Sequence, residues 1–522
     1  MIHRVDLTIS PDRIADEGFI RLNIQKALQL DSDANIEYRI LKKSMDARHI
    51  PVYRLVLEVA IEEKLIARST PVSYIQGDAR KQVHIVGAGP AGLFCALKLL
   101  EHGIQPILIE RGKTVRTRRK DLVQLTRYHK VDPDSNYCYG EGGAGTYSDG
   151  KLYTRSKKKG NVVSILEKLV GFGASSTILY EAHPHIGTNK LPKIIENIRR
   201  VIESNGGKYY FNERLHEVEI QAGKITRLIT QTGKTFEPTR VVLATGHSAT
   251  DIYRLLYEKG VKLEQKDFAL GVRIEHPQQA IDKMQCGKHR FLFDLPPASY
   301  SLVDKQKERS AFSFCMCPGG VVAPCATNGE EIVTNGWSPS KRNNPFANAG
   351  IVVEIKAPDT QEFQKHGPLA GLYFRTSIEH KAWEIENKGL RAPAQLLVDF
   401  LADRPSKQLP KSSYLPGLKP VEMKDIFPEE ITTSLRHALT NWIRRKPAFK
   451  HPNAVLIGVE TRTSSPVRIP RIHDTFQHEE IENLYPVGEG AGYAGGIVSA
   501  AIDGENCAQK IVEQASKGHP IT

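Results

Sequence analysis

Residues 81–112 read KQVHIVGAGPAGLFCALKLLEHGIQPILIERG, and this run decides the fold. A short apolar strand (84–86) enters a glycine turn, an amphipathic helix follows, and a second apolar strand ends in Glu110. Gly87 permits the tight turn, Gly89 lets backbone approach a pyrophosphate, and Gly92 allows close helix–strand packing. Ala88, Pro90 and Ala91 complete the turn, and the helix N-terminus behind them favours negative charge. Glu110 lies 23 residues past Gly87. Its carboxylate can accept hydrogen bonds from a ribose diol and repels a 2′-phosphate, so the pattern points to FAD or NAD rather than NADP.

Features elsewhere favour FAD. Glu110-Arg111-Gly112 resembles the acid–arginine ending common in FAD enzymes. VVLATG (241–246), which ends in Thr245 and Gly246, resembles a second flavoprotein signature, with a buried strand and plain glycine turn as the alternative. A further glycine match, GAGYAGG, occupies 490–496. NLYPV (483–487) could precede it as a strand and IVSAAIDGENCAQKIVEQ (497–514) follow it as a helix. Glu513 falls within the helical pattern, and only nine residues follow it through Thr522, so no second βαβ unit is expected. Gly488-Glu489 instead resembles the Gly-acid pair whose carboxylate binds a ribityl chain. Gly490, Ala491, Gly495, Gly496 and Ile497 would then bring backbone amides to the pyrimidine side of a flavin. The expectation is one dinucleotide gripped twice, with any NAD(P)H a transient reductant lacking a turn of its own.

A chain of 522 residues implies two or three domains, and 40% hydrophobic with 25% charged residues is ordinary for a soluble protein. The N-terminus lacks a signal-peptide layout and no apolar run reaches the ~18 residues of a membrane helix, which predicts a cytoplasmic protein without a membrane partner. Seven cysteines do not suggest a disulfide framework. The net charge of +13 falls in short clusters at 113–120, 157–159, 199–200 and 444–446. Solvated surface explains most of them. An anionic small-molecule substrate is the next reading, and nucleic acid is disfavoured because no zinc-finger or RNA-module signature accompanies the charge. Oligomeric state is not legible.

The expected fold is α/β: a Rossmann-like FAD-binding domain with an inserted mixed, largely antiparallel domain and a small N-terminal α+β (βαββ, ferredoxin-like) domain. The boundaries drawn are 1–75 for the small domain, 80–265 for the first part of the FAD-binding domain, 266–450 for the insert and 451–522 for the return. Within the insert FALGVRIEH (268–276), YSLVD (300–304), GIVVEIKA (350–357) and GLYFRTSIE (371–379) read as strand-like.

The loop GEGGAGTYSDGKL (140–152) packs four glycines into six positions, which suits backbone pressed against a ligand rather than helix or strand. With TGHSATD (245–251), FSFCMCPGGVV (312–322), TNGWS (334–338), ETRTSSPVRI (460–469) and LYPVGEGAGYAGGIVSAAIDG (484–504), it makes the chain resemble a family of uncharacterised FAD-dependent dehydrogenases and oxidoreductases with a glutathione-reductase-like fold. The resemblance spans nearly the whole chain and implies non-covalent FAD. It also implies that the loop holding Gly142, Gly143, Gly145, Thr146, Ser148 and Lys151 runs beside the flavin ring. One departure falls at Arg375, where a Gln-Arg pair is expected.

Candidate chemistry rests on few groups. Lys151, Cys317 and Arg273 are the candidate catalytic residues. Cys315 and Cys317 are a redox pair, core thiols, or a single thiol facing the flavin; no metal-ligand spacing accompanies them. Arg273 and Glu275 share a strand face, with a structural ion pair as the plain alternative, whereas His276 points the other way. Arg462, Arg468 and His276 are candidate substrate residues. The leading function is an FAD-dependent oxidoreductase that transfers hydride between a donor, with NAD(P)H a candidate, and a small organic substrate. The alternatives are a flavin-dependent tRNA- or nucleic-acid-modifying protein and a flavin-binding docking module with little turnover.

Overall fold

The structure, a computed structural model, describes residues 2–66, 72–153, 160–306 and 309–517. The basic triplet at 157–159 therefore lies outside the described residues. Strand Ile104–Glu110 is buried throughout and so is the end of Asp78–Val86, a pattern that requires cover on both faces. These two strands lie at the centre of a five-stranded parallel sheet. Its order is Leu484–Pro486, Val241–Leu243, Asp78–Val86, Ile104–Glu110 and Lys208–Phe211. The helix Pro90–Leu100 and the closing helix Ile497–Ser516 share one apolar cluster on this sheet.

The second layer is a seven-stranded sheet. Its order is Val303–Asp304, Ala311–Cys317, Phe346–Ile355, Phe268–Pro277, Val455–Glu460, Ala392–Leu396 and Leu418–Pro420. All neighbours are antiparallel except the last pair. Val455–Glu460 sits between Phe268–Pro277 and Ala392–Leu396, so the insert does not close at 450 as its sequence boundary had it. GLYFRTSIE is not a strand either: it lies in helix Ala370–Glu386. Among its buried positions, 371, 374, 375, 378, 379, 382, 383 and 386 follow a helical period, but three of them are Arg375, Glu379 and Glu386. Buried charge at helical spacing hid the apolar stripe. Of YSLVD, only Val303–Asp304 is strand.

At the N-terminus, strands Ile2–Ile9, Val52–Ile61 and Ile36–Asp46 form an antiparallel sheet in that order, covered by helix Glu17–Leu28. Asp16 starts this helix by accepting the Phe19 N–H at 2.9 Å. Ile20 and Ile24 then meet Val5, Ile9, Leu55 and Leu57 in a core of their own. Ile36–Asp46 also reaches the main body, where the Lys43 N–H donates to the Tyr180 carbonyl at 2.7 Å and Met45 packs on the seven-stranded sheet's core. Among the described residues no helix is long and apolar enough to cross a membrane.

Candidate functional site

The first glycine turn is shaped by contacts a side chain would destroy. Gly87 has φ +103°, and a Cβ on Gly92 would lie 2.0 Å from the Gly87 carbonyl oxygen, so the helix begins directly at Pro90. Glu110 is buried behind this turn. One carboxylate oxygen accepts the Ala88 N–H at 2.8 Å; the other accepts those of Gly112 at 2.9 Å and Gly140 at 3.1 Å. One side chain therefore fixes the turn, its own strand end and the start of the glycine loop.

Arg118, fully buried, holds the rest of that loop. Its guanidinium donates to the carbonyls of Asn136 (2.7 Å), Tyr137 (2.9 Å), Glu141 (3.1 Å) and Gly143 (2.9 Å). Thus one of the basic clusters that suggested surface charge supplies an interior clamp. Arg116 and Arg199 are likewise engaged, with Glu196 and Glu141.

These elements enclose a cavity of about 420 Å³ that runs from Gly87, Gly89 and Glu110 past Gly143 and Lys151 to Glu489, Gly496 and Ile497. Two helix N-termini, at Pro90 and Ile497, open onto it, and neither carries a side-chain cap. Their first amide N–H groups are available to a ligand, and both dipoles favour negative charge in the same space. Cβ atoms on Gly246, Gly495 and Gly496 would meet nothing within 4 Å, so the wall there is bare backbone. A carboxylate at each end with uncapped helix termini between them fits a dinucleotide with a pyrophosphate, and the residues present fit FAD.

The far end is tied together by groups the sequence reading gave no role. The Glu489 carboxylate meets His247 Nδ1 at 3.0 Å, while His247 Nε2 lies 3.1 Å from the Arg462 carbonyl. Burial alone would raise the Glu489 carboxyl; the bond and charge of His247 hold it below its ordinary range. Asp503, from inside the closing helix, accepts the Gly488 N–H at 2.8 Å and pairs with Arg471 through two bonds of 2.6 and 3.0 Å. Arg471 is itself held between the Phe476 and Tyr493 rings, each 3.9 Å away. His247 and Asp503 both stood in quoted motifs, at 245–251 and 484–504, but neither position carried a role there.

Most expected cofactor residues line the cavity, but six form the layer behind it: Ala88, Gly92, Gly142, Thr146, Gly490 and Ala491. Thr146, for example, spends its hydroxyl on the Glu141 carbonyl at 2.8 Å. Of the candidate catalytic residues only Lys151 faces the cavity. Its ammonium lies 3.3 Å from Cys315 Sγ, 3.4 Å from Cys317 Sγ and 3.3 Å from the Asp149 carboxylate. Cys315 lines the cavity, while Cys317 is fully buried behind it.

Arg273 is buried in a two-bond pair with Glu460 at 2.8 and 2.9 Å and donates to Asn348 at 2.6 Å. Its partner is therefore not Glu275, whose carboxylate accepts from the Ser413 N–H at 3.1 Å. The role of Arg273 is to hold strands together rather than to meet a ligand directly.

The substrate candidates separate. Arg462 reaches the wall, but its guanidinium is bound by Glu331 at 2.6 Å and Glu379 at 3.0 Å. His276 lies off the cavity, 2.9 Å from the Phe449 carbonyl, and burial lowers its pKa to about 4. Arg468 also lies outside, 3.9 Å from Glu264. Neither the His276 nor the Arg468 side chain is part of the cavity lining. Arg375 packs against Glu379 at 3.6 Å and donates to the His247 carbonyl at 3.3 Å, so the atypical position stands directly behind the site. The opposite wall comes from Tyr137, Cys138, Tyr139 and the hairpin Val321–Pro324/Thr334–Trp337, which contributes Ala323, Asn335 and Trp337.

Comparison with known proteins agrees with this site. Residues 267–463 match the family described as FAD-dependent protein, C-terminal domain-like, a span that includes the Val455–Glu460 strand. Residues 80–126 match an FAD binding domain and residues 1–61 a domain of unknown function. An uncharacterized protein of Clostridium beijerinckii is 34% identical over 534 residues, which cover 98% of each chain. Among solved structures, the tetracycline destructase Tet(51) aligns over 84% of both chains at 10% identity, with a TM-score of 0.35. A geranylgeranyl bacteriochlorophyll reductase-like protein from Thermoplasma acidophilum aligns over 85% of this chain and 80% of its own, at 12% identity and a TM-score of 0.35.

Proposed function

Since the chain belongs to this family of FAD-dependent proteins, we propose that it is an oxidoreductase passing hydride between a donor, with NAD(P)H as the transient reductant, and a small organic substrate. The observation that carries this reading is the single cavity onto which two uncapped helix N-termini open. When bound there, FAD supplies two-electron hydride chemistry.

The chain's own residues do the rest. The amides of the first turn would hold the cofactor's pyrophosphate, and Glu110 would accept from a ribose. Glu489 would bind the ribityl chain, with His247 favouring its ionised form. The amides at Gly496 and Ile497 would favour negative charge nearby. Lys151 adds a fixed cation in the same space, and Tyr137 and Trp337 exclude water. The described cations on this wall already face carboxylates: Arg111 pairs with Asp134 and Asp251, Arg214 with Asp134, Arg462 with Glu331 and Glu379, and Lys151 with Asp149. An anionic substrate group would therefore meet only cations that already have carboxylate partners on this wall. We also read the fold as glutathione-reductase-like, the N-terminal unit as a ferredoxin-like docking or cap domain, and the location as cytoplasmic.

The test is anaerobic mixing of purified holoprotein with NADH and with NADPH. The expected result is bleaching of the flavin band by one of them, faster than for free flavin. No bleaching by either overturns the nicotinamide donor, and absence of FAD in the denatured extract overturns the reading as a whole.

A further inference from the structure

Cys315 occupies an unusual place on its strand. It has φ +43°, in the left-handed region, and the pairing of Ala311–Cys317 with Phe346–Ile355 shifts register between Phe314 and Cys317. Residues two apart on a regular strand point the same way but stand well apart. Here the bulge brings both sulfurs to one ammonium, at 3.3 and 3.4 Å from Lys151 Nζ, and the Cys317 thiol also approaches the Cys315 carbonyl at 3.3 Å. A non-glycine residue is unfavourable at this φ, and the surrounding structure must hold it there. Arg273 is part of that surrounding: it donates to the Cys315 carbonyl at 3.3 Å while locked to Glu460.

The environment differs for the two thiols. A hydrogen bond from Cys317, with the charges of Lys151 and Arg273, holds the Cys315 thiol well below its ordinary range against burial and the nearby Asp149. The bond that Cys317 gives to Cys315, together with burial, pushes Cys317 up. The two thiols are thus inequivalent: Cys315, on the cavity wall, is the more readily ionised, and Cys317 lies behind it.

From this geometry we infer that Cys315 and Cys317 form a thiol–disulfide exchange centre for a small-molecule disulfide, with Cys315 as the attacking thiolate, Cys317 as the resolving thiol and Lys151 as the residue that positions and charges the pair. The Cys315 thiolate attacks one sulfur of the small disulfide. A Cys315–sulfur bond forms, the small disulfide's S–S bond breaks, and one small thiolate leaves. The Cys317 thiol then attacks Cys315, its proton passing to the departing second small thiolate. The Cys315–Cys317 bond forms and the second small thiolate departs. The two cysteines are oxidised by two electrons and the small disulfide is reduced to two thiols. Excess small thiol reverses both steps. This chemistry belongs to the chain itself and does not rest on the flavin reading.

The test uses FAD-loaded full-length protein and the small disulfide 4,4′-dithiodipyridine at one equivalent. Released thiopyridone is followed by absorbance and the cysteines are mapped by mass spectrometry. Wild type should release two equivalents, carry no label and show a Cys315–Cys317 disulfide. Cys317→Ser should release one equivalent and keep one label on Cys315. Lys151→Met should slow the first step by about tenfold at pH 7, the size of one pKa unit. A wild-type protein that keeps its label on Cys315 overturns the resolving role. A Cys315 that reacts no faster than Cys138, also on the cavity wall, overturns the attacking role. Wild-type mapping alone decides the matter if either variant fails to fold.

Discussion

Residues 87–92 and 490–495 carry the same glycine spacing yet are built differently. In the first, strand Asp78–Val86 passes to helix Pro90–Leu100 across three residues, and Ile104–Glu110 then brings Glu110 back beneath the turn. In the second, strand Leu484–Pro486 is followed by a loop, and helix Ile497–Ser516 starts only after the glycines have ended. No strand follows that helix among the described residues. The carboxylates at the second site come from Glu489, next to the loop, and from Asp503, inside the helix. A glycine pattern thus acquires its meaning from the chain that returns beneath it. The first turn is a rigid strand–helix junction; the second is a loop laid over a helix end.

This contrast can be broken by substitution, beginning at the rigid junction. Gly92→Val should have the largest effect, because its side chain would enter space held by the Gly87 carbonyl. The expected cost is about 3 kcal/mol or more, and little soluble holoprotein should be recovered. Gly495→Val, whose Cβ meets open space, should fold and lose only bound FAD. Equal yields of the two proteins would remove the distinction.

Glu110→Ala should follow, since three buried N–H groups lose their acceptor. We expect a loss of about 3–4 kcal/mol in urea unfolding, with FAD content reduced in parallel. At the second site Asp503→Ala leaves Arg471 and the Gly488 N–H without their carboxylate, for a cost of about 3 kcal/mol. Because Asp503 does not line the cavity, its loss should weaken FAD retention through the fold, with flavin content tracking thermal stability.

Acid should separate the two sites. His84, in the strand that enters the first turn, is buried and lowered by desolvation to about 4. A folded pKa below the free value of 6.5 means its stabilising contribution is complete above pH 6.5 and is lost as pH falls toward 4. By pH 5 that loss amounts to roughly 2 kcal/mol. His84→Leu should therefore flatten the pH 7 to pH 5 change in the free energy of urea unfolding by that amount, leaving the similar contribution of His276 in the other sheet. An unchanged slope would show that His84 takes up its proton without penalty. Glu489→Gln should have the smallest stability effect, below about 1 kcal/mol for a partly exposed pair. Its readout is lower FAD occupancy.

Local pattern made much of the FAD-binding half legible. Strand, turn, helix and acid follow one another within 81–112, and each needs only its neighbours to form. The inserted half was harder to read. Helix Ala370–Glu386 buries Arg375 and Glu379 on its inner face because Arg462 and Thr461 approach from another segment. No periodicity within the helix could announce that. For the same reason Arg462 looked available to a substrate and proved neutralised, and Arg118 looked like surface charge and proved a clamp.

By itself the sequence determined the nucleotide turn and its carboxylate, since these depend on residues close together in the chain. Tertiary structure alone decided which polar groups face the cavity and which only hold its wall. Arg273 lies behind that wall, bound to a glutamate 187 positions away, and Lys151 meets two sulfurs more than 160 positions distant. The physical reason is that a charge's role is set by its partners' distance and by how far water is excluded, and both are fixed by packing between distant segments.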